Sequence, residues 1–210
     1  EKVIVDPVYL KTLPEKEWRN GVAEMMKHGL IADPEIWSVL KVAIINSNGN
    51  LTDSLKNVIV GLLEKTITVK AKIVTIDPFE KNERMFLNFG HTIGHALESY
   101  SLSQDEIPMS HGEAVAAGMI CESFLSMKLF GLSTDELSEI SEVISGFFHR
   151  RIIPGQSFQE LLHMMKADKK SSEGKINFAL LQNIGTPVIH KNISTDLILE
   201  SFHFYNSVQK

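Results

Sequence analysis

The chain has 210 residues, 43% hydrophobic and 22% charged, the make-up of an ordinary globular protein with room for one substantial core or two small ones. A net charge of −5 argues against a broad nucleic-acid-binding face, while leaving room for a local cationic pocket for a small anion. Cys121 is the single cysteine, no apolar run approaches the ~20 residues of a membrane span, and no signal peptide opens the sequence, so a reducing, cytoplasmic setting without membrane or nucleic-acid partners is the expectation.

Residue 1 is Glu, and Glu-Lys-Val-Ile-Val-Asp enters without a turn or cap, which reads as part of something longer. After the short apolar run Val3–Val5 the pattern is almost entirely helical. A helix is expected from about Pro14 to Ile31, with Trp18, Val22, Met25 and Met26 on its apolar side. Asp33-Pro34 supplies an N-cap and a first-turn proline for a second, ending near Asn46 in the turn cluster Asn46–Asn50. A long helix follows from about Thr52 to Ile76 and stops at Asp77-Pro78. Glu83–Glu98 then reads as one helix containing Gly90 and Gly94, a loop runs to Pro108, and Gly112 to about Phe130 reads as another. Ser133-Thr-Asp-Glu136 and Ser157-Phe-Gln-Glu160 both match the capping box, so a helix is expected at each. Lys175–Leu181 and Pro187–His190 suit a β-hairpin around Ile184-Gly185-Thr186, and Ser194 caps a last helix. The expectation is one mainly α domain of seven to eight helices with a small hairpin.

Arg84, Asn88, His91 and His95 are the most informative residues. On a single helix at ~100° per residue they fall within an arc of roughly 60°, opposite Phe86, Phe89, Ile93 and Leu97. A guanidinium, an amide and two imidazoles in one row suit a metal or an anionic ligand better than a solvated face. Glu24, Lys27 and His28 share one side of the first helix, which alone would be a solvent-facing, salt-bridged stripe. His111 falls at a helix start, where an imidazole also interacts with backbone. Lys70 lies inside the apolar arc of the long helix and so needs either a snorkelling path to water or an anionic partner, a substrate or a structural carboxylate. Lys169 and Lys170 end a helix, where they complement its dipole or bind an anion. Glu24, His91 and His111 together could offer one carboxylate and two imidazoles to a divalent metal, the three-ligand pattern of a catalytic site.

The run Leu87-Asn-Phe-Gly-His-Thr-Ile-Gly-His95, with Gly21-Val-Ala-Glu-Met-Met-Lys-His-Gly29, Lys70-Ala-Lys72, His111-Gly-Glu-Ala-Val115 and Asp168-Lys-Lys170 in this order, resembles the C-terminal domain of 3-dehydroquinate synthases over nearly the whole chain. The resemblance implies that Glu24, His91 and His111 are ligands of zinc or cobalt. It also implies that Lys27, Lys70, Arg84, Asn88 and His95 bind substrate and take part in catalysis, with Glu80 beside the site. Either Lys169 or Lys170 would be a further phosphate-side lysine. The implied reaction turns 3-deoxy-arabino-heptulosonate 7-phosphate into 3-dehydroquinate and phosphate, on the shikimate route to aromatic amino acids. NAD oxidises the C5 hydroxyl, phosphate is eliminated, C5 is reduced again, and an intramolecular aldol closes the ring. In that family the NAD-binding half lies N-terminal to everything here, and none of the 13 glycines forms Gly-x-Gly-x-x-Gly. The chain alone is therefore expected to lack most of the NAD site and to be inert unless joined to that half, with a homodimer as the implied assembly. The alternatives are a sister sugar-phosphate cyclase such as a 2-deoxy-scyllo-inosose synthase, a metal-dependent polyol dehydrogenase, and a non-catalytic helical module.

Overall fold

In the computed structural model, which describes residues 3–168 and 176–208, the architecture is organised around one helix. α5 (His111–Phe130) is small and apolar on every side along Ala114-Val-Ala-Ala-Gly-Met-Ile-Cys121, and a helix with no polar face has to be buried. It packs against α1 (Glu15–Ile31), α4 (His91–Gln104), α6 (Thr134–Phe147), α8 (Thr195–Ser207) and strand β1 (Asn177–Asn183). α2 (Pro34–Asn46) bridges α1 and α6, α3 (Asp53–Ile76) lies on α1 and α2, and α7 (Phe158–Asp168) lies on α4. β1 pairs antiparallel with β2 (Thr186–Lys191), Leu180 opposite Val188, with a bulge between Leu181 and Asn183. The expected mainly α class with one hairpin is what the described residues form. Among them, no helix is long and apolar enough to cross a membrane.

Local chemistry sets most boundaries. Asp33 caps α2 as expected, Thr52 caps α3, and Ser133 with Glu136 completes a capping box at α6. Ser194 likewise caps α8. A second complete box, Ser110 with Glu113, starts α5 and fixes His111 as its first residue. Gly185 takes φ +88° in the hairpin turn, and its N–H donates to the Leu30 carbonyl at 2.7 Å, tying the hairpin to the end of α1.

Three expectations need correction. Glu83–Glu98 is not one helix: Glu83–Asn88 is a 3-10 turn, and α4 begins only at His91. Gly90, taken as a mid-helix residue, is the N-cap of α4 with φ +78°, a left-handed geometry that breaks the helix. Lys70 is exposed rather than buried in the apolar arc. A helix does start at Ser157-Phe-Gln-Glu160: α7 opens at Phe158, after a 3-10 turn in which Ser157 donates its hydroxyl to the Pro154 carbonyl. The apolar run Val3–Val5 is exposed. Lys175 and the candidate lysines Lys169 and Lys170 lie outside the described residues.

α4 crosses α5 at close quarters. A Cβ on Gly118 would overlap the Gly90 carbonyl oxygen, and one on Gly94 would sit 3.0 Å from the Ala114 carbonyl oxygen. Gly118→Ala should therefore cost about 1–3 kcal/mol through overpacking against backbone. Urea denaturation of the two proteins measures it, and an unchanged midpoint would contradict the tight crossing.

Candidate active site

The α4–α5 crossing places two helix starts side by side, so that His91 and His111, each the first residue of its helix, face α1 together. Their rings lie 5.5 Å apart by centroid, with the His95 ring 5.2 Å from His91. Glu24 Oε1 sits 3.2 Å from His91 Nε2 and 3.5 Å from His111 Nε2, and one donor atom from each of the three residues lies within 4.8 Å of the others. Ligands held ~2.0–2.1 Å from a tetrahedral zinc stand about 3.3 Å apart, which the two Glu24 distances bracket.

The other ring nitrogens are already engaged. His91 Nδ1 lies 3.1 Å from the Phe89 carbonyl oxygen, which can only accept, and His111 Nδ1 lies 3.1 Å from Glu98 Oε2. With the protons on Nδ1, both Nε2 atoms are bare acceptors turned on Glu24 Oε1, itself a buried oxygen without a hydrogen-bond donor. Three acceptors aimed at one another repel unless a cation lies between them. The donor set therefore fits a divalent metal, with carboxylate and carbonyl partners behind the imidazoles.

Beside this trio lies a cleft of about 400 Å³ lined by Lys27, Lys70, Glu80, Arg84, Leu87, Asn88, His91, His95 and His111 as well as Glu24. Every candidate site residue within the described segments thus reaches one cleft. A larger groove of about 1630 Å³, between α1, α6 and the end of α8, contains none of them. Lys27 is buried, and its Nζ lies 2.6 Å from Glu24 Oε2. Burial pulls the Lys27 ammonium below the ordinary lysine range, Glu24 pulls it back up, and Lys70 adds to the lowering. Burial would raise Glu24; with no metal bound, a proton donated from His91 Nε2 and the Lys27 ammonium outweigh it and hold the carboxyl well below the usual range. The solvent-facing stripe considered for α1 does not form, because His28 is buried beside Lys27 and Glu24 is half-buried.

The segment between α3 and α4 is shaped by Asp77, read in the sequence only as a helix stop. Its buried carboxylate accepts from the N–H groups of Lys81, Asn82 and Arg84 at 3.0, 2.6 and 3.2 Å. The Lys81 bond, followed by the others, holds its pKa below the ordinary aspartate value against the opposing effect of burial. This fold of the chain turns Arg84 and Glu80 to the cleft, where Asn88 Nδ2 donates to Glu80 Oε1 at 2.7 Å. Glu98 was also missed as a site residue. Its signal was its place three residues after His95 on the same side of the helix.

A helical domain with this fold occurs in sugar-phosphate cyclases. A 2-epi-5-epi-valiolone synthase from Streptomyces hygroscopicus subsp. jinggangensis 5008, solved with NAD+ and Zn2+, superposes with TM-score 0.76 at 23% identity, over 95% of this chain and 54% of its own. A 2-deoxy-scyllo-inosose synthase solved with carbaglucose-6-phosphate, NAD+ and Co2+ gives 0.67 at 22%, over 95% and 54%. Residues 21–171 match the 3-dehydroquinate synthase C-terminal family model, and the chain belongs to that family. It is 38% identical to the 3-dehydroquinate synthase of Parabacteroides distasonis over 97% of this chain and 56% of the relative. The figures for that of Halalkalibacterium halodurans are 40%, 95% and 53%. The chain spans about half the length of the curated relatives it matches.

Two measurements follow from this geometry. Glu98→Ala should weaken zinc binding about 10–100-fold, since the His111 ring loses the partner that fixes its orientation; competition against a chelating indicator reads it, and unaltered affinity would refute the role. His28, with both ring nitrogens buried and unpartnered, has its pKa lowered by burial from 6.5 to about 4. The unfolded chain then takes up this proton first as pH falls, so stability is full above about 6.5 and declines toward 4, by about 2 kcal/mol between pH 7 and 5. His28→Phe should lose that much less over the interval in urea titrations of metal-free protein; an identical pH slope would refute it.

Proposed function

We propose that this chain is the metal- and substrate-binding half of a 3-dehydroquinate synthase, acting on 3-deoxy-D-arabino-heptulosonate 7-phosphate to yield 3-dehydroquinate and phosphate. The observation that carries this reading is the Glu24–His91–His111 trio, with its unpartnered carboxylate oxygen, opening on a cleft lined by Lys27, Lys70, Arg84, Asn88 and His95. The family membership and the 38–40% identity to synthases support the same assignment.

In this reading Glu24, His91 and His111 hold a zinc or cobalt ion. Such an ion supplies Lewis acidity toward a substrate hydroxyl, easing its oxidation to a ketone. Lys27, Lys70 and Arg84 neutralise the substrate carboxylate and phosphate and hold them in one reactive pose. Lys27 is suited to this because it is buried with Lys70 beside it, and Glu24 offsets that strain on its charge only in part, so a substrate anion would be a welcome second partner. Asn88, oriented by Glu80, would offer hydrogen bonds to sugar hydroxyls, and His95, on the wall of the same cleft, would hold a proton for the leaving phosphate. The dinucleotide site is assigned to a separate nucleotide-binding half, in keeping with the half-length coverage of the relatives. A second reading, a sister cyclase on a carboxylate-free sugar phosphate, draws on the two structural neighbours.

Phosphate release tests both. Given NAD, Zn2+ and the heptulosonate phosphate, the isolated chain should release none. Joined to its nucleotide-binding half it should turn over, at least about 10²-fold faster than with carboxylate-free sugar phosphates, and Arg84→Ala should remove about 10²-fold of the rate. Turnover by the isolated chain would overturn the division of labour, and a preference for carboxylate-free substrates would favour the sister cyclase.

A further inference from the structure

We infer that Glu122, a fully buried carboxylate on α5, is a positioning residue for the metal set, capping α4 from outside and fixing His91 in place. This rests on the proposed metal-binding reading of Glu24, His91 and His111.

The first turn of α4 has amides with no partner inside the helix. Its own N-cap is Gly90, which has no side chain and can have none, because a Cβ there would lie 2.9 Å from the Val115 carbonyl oxygen and closer still to Met119. Glu122 fills that gap from the neighbouring helix. Its Oε2 accepts from the Gly90 N–H at 2.7 Å and its Oε1 from the Ile93 N–H at 3.2 Å. Those are the N-cap and N3 amides, the pair that a capping box satisfies with two side chains at α5 and α6. Here one foreign carboxylate satisfies both. It reaches them because Gly118, one turn earlier on α5, lets the two helices touch backbone to backbone.

The residues so clamped flank His91, the first residue of α4, whose Nδ1 is in turn held by the Phe89 carbonyl. Any slackening at Gly90 or Ile93 therefore moves both the imidazole and the carbonyl that orients it. Charge points the same way. The proposed ligands carry one negative charge, that of Glu24, and Glu24 also binds Lys27. The positive end of α4 lies beside them. Glu122 is completely buried, sits at that end, and its charge also favours the Lys27 ammonium. It places a negative charge on the protein side of a site otherwise crowded with positive groups.

Cobalt(II) is the probe. The whole chain is titrated with Co2+ and its visible d–d absorption recorded for wild type, Glu122→Gln and, as a control for simple loss of stability, Ile140→Val in the buried face of α6. Glu122→Gln keeps the shape but not the charge, and meets one of the two amides with a donor. It should bind Co2+ about tenfold or more weakly with an altered absorption band, while Ile140→Val leaves both unchanged. A folded Glu122→Gln whose affinity stays within about twofold of wild type, with the same band, would overturn the inference. Amide exchange in the wild type decides the matter should that variant not fold. Zn2+ should slow exchange at Gly90 and Ile93 about tenfold more than at Ile140, and equal slowing at all three would also overturn it. Wild type that takes up neither Co2+ nor Zn2+ would remove the metal reading itself, and this inference with it.

Discussion

The backbone-to-backbone crossing of α4 and α5 is the constraint on which the site depends. Side chains larger than hydrogen at Gly90, Gly94 or Gly118 would force the two helices apart. Because each helix begins with a histidine, the distance between the helix starts is also the distance between two metal-ligand candidates. Helix starts are natural places for such a demand: a cap defines the first residue more sharply than periodicity defines any later one. The Ser110–Glu113 box does this for His111, and the Gly90 turn does it for His91. α1 then needs to contribute only one side chain, Glu24, to complete the trio.

Three carboxylates outside the cleft hold the frame, while inside it Glu24 and Glu80 stand among cationic side chains. Asp77 gathers three amides of the segment that carries Arg84, Glu98 backs the His111 ring, and Glu122 gathers two amides of α4. Each acid is turned away from the cleft toward groups that must not move. Lys27, Lys70 and Arg84 line the opening. This explains how a chain of net charge −5 presents a local pocket suited to a doubly anionic ligand. The sum of charges is a statement about solubility and long-range fields, whereas binding is decided by which side chains are turned inward.

Most helices were legible in the sequence because their ends carry local chemistry: Asp33-Pro34, Thr52, Ser133 and Ser194 each act through their own neighbours. The hairpin was legible from Gly185 between two apolar runs. The segment 83–98 was misread because spacings of four, three and four fit one long helix, while Gly90 takes φ +78° where α4 comes up against Met119 and Val115 of another helix. Arg84, Asn88, His91 and His95 still meet in one cleft, but a 3-10 turn and an α-helix bring them there, not a single row. Lys70 was misplaced for a related reason. Its helix covers α1 and α2 over only part of its length, so its apolar arc does not mark burial at residue 70. Glu122 left one signal, a lone carboxylate in Met119-Ile-Cys-Glu-Ser-Phe-Leu125, and nothing local could say which amides it would find.

Glu24 links the two halves of the site. One of its oxygens faces the imidazoles and the other binds the Lys27 ammonium. Negative charge drawn toward the imidazole side is lost to Lys27, which then stands buried, next to Lys70, with a weaker partner. A buried ammonium in that position gains more from an incoming anion than an exposed one would, because the surrounding protein screens it less than water does. Filling the imidazole side should therefore strengthen anion binding at Lys27, and by reciprocity an anion at Lys27 should strengthen the hold on a cation. One carboxylate, shared between a buried lysine and two histidines, is enough to make each sub-site sensitive to the other.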